Sequence, residues 1–404
     1  MTRRPFISQG HLIDSGILTS ILNIIIEEGA DYQIVNFEIG KTNDQVSKLE
    51  IDLLSDSEEQ LEQITEKLVQ NGCYEKRPTE AVFKKAEKDC SVSDDFYSTT
   101  NHRTEVFINN RWHEVHHQRM DAVIVSENNT LYCKKLRDIK KGDMVLCGSE
   151  SVRVFPPPRD RYTDVFGFMA NDVSSERSVS AVVKKIAEEM KIMTERGEKI
   201  VAVAGPVTIH TGGSSALSAL IREGYIHGIL AGNALAVHDL ESEFFGTSLG
   251  IDMEHGKPTH EGNRNHMRAI NRVNYYGSIR NAIDAGALKK GTMYEILQSG
   301  IPYCLAGSIR DDGPLPETET DMIKAQNDYA DIIKGSSMVL MLSTMLHSIG
   351  TGNMLPSWVK TVCVDINPAV VTKLSDRGSS QTIGIVSDVG LFLRALAHQL
   401  IGSF

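Results

Sequence analysis

The segment KIVAVAG, residues 199–205, is a short apolar run that ends in glycine, and five similar runs follow it in the chain. Those five are IHGILAG (226–232), IPYCLAG (301–307), SMVLMLS (337–343), TVCVDI (361–366) and TIGIVSD (382–388). Near-continuous apolar strands are buried on both faces, and most of these runs are separated by amphipathic segments long enough for a crossover helix. The pattern predicts an α/β fold in which the C-terminal domain, 166–404, is a doubly wound parallel sheet.

The first part of the chain, 1–100, has a different pattern. DYQIVNFEIG at 31–40 alternates apolar and polar residues, as a half-buried strand does. EEQLEQITEKLVQNG at 58–72 is typical of an amphipathic helix that ends at a glycine. Together these patterns predict a small α+β domain of the ferredoxin-like or ACT-like type.

The second part, 101–165, is rich in strand patterns. Hairpin turns are expected at the two Asn-Asn pairs, 109–110 and 128–129. The segment PPPRDRY at 156–162 then interrupts regular structure, because proline cannot donate a backbone hydrogen bond. We therefore expect a β-rich domain followed by a proline-rich linker.

Composition and charge limit the class of protein. The net charge of −11, from 42 basic and 53 acidic residues, argues against a general nucleic-acid binder, which usually has a basic face. The six cysteines include no C-x-x-C pair, so we expect reduced thiols and no metal site. The N-terminus lacks the apolar core of a signal peptide, and no stretch reaches about 18 uncharged apolar residues. A cytoplasmic protein without nucleic-acid or membrane partners is expected.

Candidate ligand-binding residues follow the apolar runs, because doubly wound sheets bind ligands outside the carboxyl ends of their strands. After the first run, GGSS at 212–215 opens a helix, either as an anion-binding helix start or as a plain strand-to-helix turn. After the second run, Asn233 and Ala234 offer polar groups and close approach to a ligand, or else form a helix cap.

The third and fourth runs lead into loops with polar residues. Arg310, Asp311 and Asp312 follow the third run and form either a binding cluster or a solvated charged surface. STMLHSIGTG at 343–352 follows the fourth run. It contains G-x-G but not the complete G-x-G-x-x-G fingerprint, so this motif by itself is weak evidence for a dinucleotide.

Two aspartates follow the last two runs. Asp365 ends the fifth run, where a Rossmann-type site hydrogen-bonds the ribose of NAD, or it caps the next helix. Asp388 follows the sixth run and has the same two interpretations. If the sheet is parallel, Asn233, Asp312, His347, Asp365 and Asp388 converge on one edge. That convergence is stronger evidence for a ligand site than any single motif.

Three segments resemble one known family. AGPVTIHTGGSSALSALIREGYIHGILAGNALAVHDLE (204–241), SIRDDGPLPET (308–318) and LSTMLHSIGTGNMLPS (342–357) are similar to the conserved-domain family of LOR/SDH bifunctional enzymes. The functional members that the chain resembles are the archaeal-type ornithine cyclodeaminases, which also occur fused behind an arginine dihydrolase. The resemblance extends over nearly the whole chain.

The resemblance implies a Rossmann-type domain of the deoxyhypusine-synthase-like kind that binds NAD. It also implies which residues would contact the cofactor. Carried onto this sequence, those contacts are Asn233, Ala234, Asp312, Thr344, Met345, Leu346, His347, Asp365, Asp388 and Val389. They coincide with the candidates that follow the apolar runs.

The resemblance further implies an NAD-dependent ornithine cyclodeaminase, which converts L-ornithine to L-proline and ammonia. The hydride removed from the substrate would return to the product, so the same NAD would be recycled. Such a reaction needs a cation for the substrate carboxylate and an acid for its δ-ammonium. Arg103 is the candidate for the first role, with an ordinary surface loop as its alternative. Asp172 is the candidate for the second.

Two other functions remain compatible with the sequence. One is an NAD-dependent amino-acid dehydrogenase or saccharopine-type dehydrogenase, which would form NADH in net amounts. The other is a non-catalytic NAD and amino-acid sensor that uses the N-terminal domain. For each of the three functions we expect a homo-oligomer.

Overall fold

The structure is a computed structural model that describes residues 2–13, 16–40, 45–128, 130–156, 175–253, 265–311, 313–377 and 382–403. Most of the predicted linker and two candidate residues, Asp172 and Asp312, lie outside the described residues. The chain divides into two compact units. The first comprises Met1–Asp164, Asn353–Trp358 and Ser379–Gln381, and the second comprises Val165–Gly352, Val359–Gly378 and Thr382–Phe404.

The first unit begins with a four-stranded antiparallel sheet and two helices. Its elements are β1 (Thr2–Gly10), α1 (Ile17–Glu27), β2 (Asp31–Glu38), β3 (Ser47–Ser55), α2 (Glu58–Gln70) and β4 (Cys73–Glu75). The strand order β2-β3-β1-β4 is that of a ferredoxin-like split β-α-β sandwich. Its core is formed by apolar residues such as Phe6, Ile21 and Leu61, all fully buried.

A second, seven-stranded sheet completes the first unit. Its strands are β5 (Val82–Lys85), β6 (Arg103–Ile108), β7 (Arg111–His116), β8 (Val123–Glu127), β9 (Thr130–Lys134), β10 (Met144–Cys147) and β11 (Val152–Phe155). Their order is β11-β6-β7-β9-β8-β10-β5, and β7 and β9 form a parallel pair. The predicted hairpin at Asn109 and Asn110 is confirmed, since both residues have the positive φ that a tight turn requires.

The second unit alternates strands and helices. Its elements begin with α3 (Ser175–Glu195), β12 (Lys199–Ala204), α4 (Val207–His210), α5 (Ser214–Arg222), β13 (Ile229–Gly232), α6 (Asn233–Phe245), β14 (Thr247–Ser248), β15 (Ile251–Asp252), α7 (Asn265–Tyr276), α8 (Ile279–Asp284) and α9 (Thr292–Ser299). They continue with β16 (Tyr303–Ala306), β17 (Thr318–Glu319), α10 (Met322–Ile333), β18 (Ser336–Leu342), α11 (Met345–Gly352), β19 (Lys360–Asp365), α12 (Pro368–Arg377), β20 (Thr382–Val386) and α13 (Val389–Ile401).

The main sheet of the second unit is parallel throughout, in the order β17-β16-β13-β12-β18-β19-β20. All six apolar runs form strands of this sheet, and the residues of the central strands are buried on both faces. The predicted fold class is therefore confirmed. The chain builds outward from β12 to β17 on one side and then returns to place β18 on the other side of β12. This reversal puts the topological switch point between β12 and β18.

The described helices include none that is long and apolar enough to cross a membrane.

Candidate functional site

The turns that follow β12 and β18 touch each other at the switch point. A β-carbon placed on Gly205 would lie 2.3 Å from the carbonyl oxygen of Ser343 and 2.9 Å from Cβ of Thr344. Ser343 has a φ of 48°, a left-handed conformation that a non-glycine residue rarely adopts. Its N–H donates to the carbonyl of Val364 in β19 at 2.9 Å. Gly205 is therefore required for the close contact that forms the base of the crevice.

His347, in the first turn of α11, lies against the turn that follows β13. A β-carbon on Gly232 would lie 2.8 Å from its Nε2. The Tyr329 hydroxyl lies 2.7 Å from the carbonyl of Ala231 and 3.0 Å from Nδ1 of His347. That hydroxyl has one proton, which the carbonyl accepts, so Nδ1–H of His347 donates to the tyrosine oxygen. Nε2 of His347 therefore has a lone pair directed toward the β13 turn.

The charge of His347 follows from its surroundings. Burial lowers the pKa of His347 below its ordinary value, although the carboxylate of Asp311 opposes the shift. The imidazole is therefore neutral near pH 7. A neutral ring with Nε2 unprotonated can accept a hydrogen bond from a ligand at this edge.

Asn233 begins α6 and is buried, with 3% of its surface exposed. Its side-chain oxygen accepts hydrogen bonds from Leu315 N–H at 3.1 Å and from the Thr318 hydroxyl at 2.8 Å. Asn233 thus holds the loop that leads into β17, an interaction that the sequence did not predict. No described residue accepts a hydrogen bond from its Nδ2, which stays available as a donor. Ala234 follows it in the helix and is half-buried.

Thr344 precedes α11, and Met345 and Leu346 are the first two residues of that helix. The Thr344 carbonyl accepts from Ser348 N–H at 3.1 Å. Met345 and Leu346 are exposed, by 42% and 74%. The first backbone N–H groups of a helix have no acceptor within the helix, so those of α11 can donate to a ligand.

Asp365 and Asp388 each accept a backbone hydrogen bond at the carboxyl edge of the sheet. Oδ1 of Asp365 accepts from Asn367 N–H at 2.8 Å, and Oδ1 of Asp388 accepts from Leu391 N–H at 2.9 Å. Asp388 is the N-cap of α13, and Val389 behind it is buried. The capping interpretation that the sequence left open is thus observed for Asp388. Asp365 does not cap α12, because that helix begins after Asn367, whose side-chain oxygen accepts from Ala369 N–H at 3.0 Å. Ligand binding through their second oxygens stays a prediction.

The turn at 212–215 packs closely against the start of α13. A β-carbon on Gly213 would lie 2.8 Å from the carbonyl of Thr208, and one on Gly390 would lie 2.3 Å from the carbonyl of Thr211. The two glycines let α13 approach the start of α5. This geometry favours the plain strand-to-helix turn over an anion site.

The carboxyl edge of the parallel sheet brings most of the candidates together. Asn233 follows β13, which lies on one side of β12. His347, Asp365 and Asp388 follow β18, β19 and β20, which lie in that order on the other side. Asp312 would follow β16 and lies outside the described residues. The roles of all these residues as cofactor contacts stay predictions.

Arg103 lies in β6 of the first unit. Its guanidinium forms ion pairs with Glu105 at 2.6 Å and with Glu114 at 3.3 Å, and it stacks over Phe155 at 5.0 Å from the ring centroid. Arg103 is therefore already paired within its own sheet. Its contact with a substrate carboxylate stays a prediction. The contact of Asp172 with the δ-ammonium also stays a prediction, because Asp172 lies outside the described residues.

A second polar cluster lies on the helices that follow β12 and β13. His210 ends α4 and His238 lies in α6, with ring centroids 4.7 Å apart in an edge-to-face arrangement. Nδ1 of His238 lies 2.9 Å from Oε2 of Glu241, and Nδ1 of His210 contacts the Ser248 hydroxyl. The sequence interpretation missed this cluster. Its signal was the i, i+3 spacing of His and Glu in HDLE, 238–241.

Glu241 is fully buried and holds the hairpin that follows α6. It accepts hydrogen bonds from the Thr247 hydroxyl at 2.9 Å, Gly250 N–H at 3.0 Å and Leu249 N–H at 3.2 Å. Burial opposes ionisation, but the bonds from His238 and from these donors lower the pKa of Glu241 below its ordinary value. Glu241 is therefore a carboxylate, and the nitrogen of His238 that faces it has a proton.

His210 gives the second unit a pH dependence. Burial and then the neighbouring His238 lower the pKa of His210 to about 4, against about 6.5 in an unfolded chain. Because the folded pKa is depressed, the stabilisation is complete above about pH 6.5 and is lost as pH falls toward 4. We expect His210 to account for about 2 kcal/mol of lost stability between pH 7 and pH 5.

Urea unfolding of His210→Gln at the two pH values checks this expectation, since the variant should lose less stability on acidification than the wild type. His398→Gln, a change at an exposed histidine of α13, is the control and should retain the wild-type pH dependence. Equal pH dependence of wild type and His210→Gln would contradict the assignment.

Among the described residues, no group of three or more His, Cys, Asp or Glu side chains could hold a metal ion.

The strand order and the crevice at its switch point define a Rossmann-type α/β domain. Family models give a more specific result. Residues 184–396 match the model described as arginine dihydrolase ArgZ-like, C-terminal, Rossmann fold. Residues 6–102 match the LOR/SDH bifunctional enzyme conserved region, and residues 103–183 match the first C-terminal region of ArgZ-like arginine dihydrolases.

Curated relatives match along almost the whole chain. A Methanocaldococcus jannaschii protein named ornithine cyclodeaminase is 48% identical over 99% of this chain and 96% of its own length. A Methanothermobacter thermautotrophicus protein of the same name is 46% identical over 99% and 98%. The bifunctional arginine dihydrolase/ornithine cyclodeaminase ArgZ of Synechocystis is 48% identical over 97% of this chain. The chain spans 57% of the length of that bifunctional relative.

Solved structures agree with this assignment. The crystal structure of apo ArgZ superposes with a TM-score of 0.85 at 44% identity, over 99% of this chain and 58% of that one. The ternary complex of AgrE with ornithine and NAD⁺ gives 0.55 at 44% identity, over 99% and 57%. The chain therefore belongs to the LOR/SDH and ArgZ-like family, together with the archaeal proteins named ornithine cyclodeaminase.

Proposed function

We propose that this chain is an NAD-dependent ornithine cyclodeaminase, which converts L-ornithine to L-proline and ammonia by internal hydride transfer with recycled NAD. The observation that carries this proposal is the 48% identity to the archaeal ornithine cyclodeaminase over 96% of that protein's length. The AgrE complex with ornithine and NAD⁺ supports the same pair of ligands. Cytoplasmic location, homo-oligomerisation and a place in proline biosynthesis and arginine metabolism stay predictions.

The polar groups at the carboxyl edge of the sheet fit NAD. Oδ1 of Asp365 is engaged by Asn367, and no described residue donates to its Oδ2, which can accept from a ribose hydroxyl. The helix α11 spans Met345–Gly352, and its first turn offers backbone N–H groups of the kind that bind a pyrophosphate. Nδ2 of Asn233 adds a donor. The carboxylate of Asp365 would also repel the additional phosphate of NADP.

The reaction is redox-neutral overall but needs a temporary hydride carrier. Bound NAD would supply a hydride acceptor for the substrate α-carbon and, later in the same turnover, a hydride donor for the cyclic imine. The chain itself must hold the α-carbon in place, exclude water and take protons from the substrate amines. Arg103 and Asp172 are the proposed partners of the carboxylate and the δ-ammonium. A substrate carboxylate would compete with Glu105 and Glu114 for Arg103.

A product assay tests the proposal. Dialysed protein incubated with L-ornithine and substoichiometric NAD⁺ should form proline and ammonia in equal amounts, without lasting accumulation of NADH. D-ornithine is the matched control, because its α-hydrogen would face away from the cofactor. Accumulation of one NADH per substrate would instead identify a dehydrogenase. Tight NAD binding without any product would identify a sensor.

A further inference from the structure

The cluster of His210, His238, Glu241 and Ser248 has no place among the predicted cofactor contacts, yet its geometry is that of an oriented base. Glu241 accepts from Nδ1–H of His238 at 2.9 Å. This hydrogen bond fixes the tautomer, so Nε2 of His238 has the lone pair. No described residue forms a hydrogen bond with that Nε2. A carboxylate that orients an imidazole for proton transfer is a recurring catalytic arrangement.

The rigidity of Glu241 makes the orientation of His238 well defined. The carboxylate is fully buried, and three donors besides His238 hold it, two of them backbone N–H groups of the hairpin. His238 itself is only 12% exposed. The ring of His210 packs against it edge to face, and Glu241 bonds its Nδ1.

The cluster lies on the two helices that follow β12 and β13 at the carboxyl edge of the sheet. Asp365, the predicted ribose ligand, ends β19, whereas α6 begins at the end of β13, three strand spacings away or about 14 Å. A dinucleotide whose adenosine is bound at β19 would extend its nicotinamide toward β13. His238 is five residues after Asn233, about 7.5 Å along the axis of α6.

We propose that His238 is the residue that accepts a proton from an amino group of the substrate, and that Glu241 is its positioning residue. The inference rests on the proposed function and names a base for it. It does not depend on Arg103 or Asp172. His210 packs against His238 from α4 and confines its ring to one orientation.

The proposed step is a proton transfer. A substrate ammonium loses one proton to Nε2 of His238, and the electron pair of the broken N–H bond stays on the amine nitrogen. That lone pair is needed for an amine to support hydride loss from its carbon or to attack an imine. The imidazolium then returns its proton to the nitrogen that departs as ammonia. The ring is restored at the end of the turnover.

The experiment compares three variants of the full chain. We expect His238→Gln to lower kcat by about 10²- to 10⁴-fold, the usual contribution of a general base. NAD affinity should stay within about 2-fold of the wild type. Glu241→Gln should lower kcat by about 10-fold and shift the pH profile of kcat/KM, because Glu241 would act on the substrate through His238. His227→Gln is the matched control, since its ring contacts Ile200 N–H before β13 begins.

A chemical rescue separates proton transfer from a structural role. Added imidazole should restore part of the activity of His238→Ala and should not affect His227→Gln. Wild-type kcat and pH profile in His238→Gln, while the wild type forms proline, would overturn this inference alone. Parallel losses of NAD affinity and thermal stability in His238→Gln, without rescue of His238→Ala, would also overturn it. A wild-type chain that forms no proline would overturn the proposed function and, with it, this inference.

Discussion

Gly205→Val should abolish measurable NAD binding and lower the free energy of unfolding by about 3 kcal/mol. The added β-carbon would lie 2.3 Å from the carbonyl oxygen of Ser343 and 2.9 Å from Cβ of Thr344. The nearer of these atoms is backbone, so no side-chain rotation relieves the clash. The β12 and β18 turns would have to separate at the switch point. A separation there displaces Thr344 and the first turn of α11, the predicted pyrophosphate site.

Isothermal titration with NAD⁺ and urea unfolding measure the two effects. We expect affinity to fall by at least about 100-fold, equivalent to about 2.7 kcal/mol. Gly350→Ala is the matched control, because Gly350 lies in α11 and an added β-carbon meets no atom within 4 Å. That change should leave NAD binding intact and should stabilise α11 by up to about 1 kcal/mol, because alanine has a higher helix propensity than glycine. Wild-type NAD affinity in Gly205→Val would show that the switch point does not form the binding site.

The parallel sheet could be predicted because its strands are buried on both faces. Runs such as 199–205 and 337–343 are nearly all apolar, and that composition occurs in few other settings. Strand order was less accessible, because it depends on where each crossover helix packs. The two-residue strand β17 at the sheet edge had no apolar pattern at all. Its position is fixed by Asn233, whose side chain accepts hydrogen bonds from Leu315 and Thr318.

The polar residues at the strand ends show a different limit of prediction from sequence. An aspartate after a strand has the same local sequence whether it caps a helix or binds a ribose, and Asp388 does cap α13. The pair of His210 and His238 shows the limit more clearly. These residues are far apart in sequence and meet only because α4 and α6 pack together. Sequence spacing could indicate His238 with Glu241 on one helix face, but not the second histidine.

Asp239→Ala should lower the free energy of unfolding by about 3 kcal/mol, the largest effect we expect from a residue outside the predicted contacts. Asp239 lies in α6 and is fully buried. Its carboxylate accepts from Thr292 N–H at 2.9 Å, Met293 N–H at 2.7 Å and the Ser214 hydroxyl at 2.9 Å. The N-cap of α9 is Gly291, which has no side chain. Asp239 therefore provides the missing cap from a neighbouring helix.

The alanine variant would leave two buried N–H groups of α9 without acceptors, and each such group costs about 1–3 kcal/mol. Asp239→Asn keeps the shape of the side chain but changes its hydrogen bonding. One carboxylate oxygen becomes an amide nitrogen, which cannot accept a hydrogen bond, so at least one of the three bonds is lost. We expect it to cost about half as much as alanine. Asp331→Ala, at an exposed site in α10, is the control and should change stability by less than about 0.5 kcal/mol. Urea midpoints give the comparison, and equal midpoints for Asp239→Ala and Asp331→Ala would contradict the prediction.

Because Asp239 connects the starts of α5 and α9 to α6, its loss should also loosen the helix that presents His238 and Glu241.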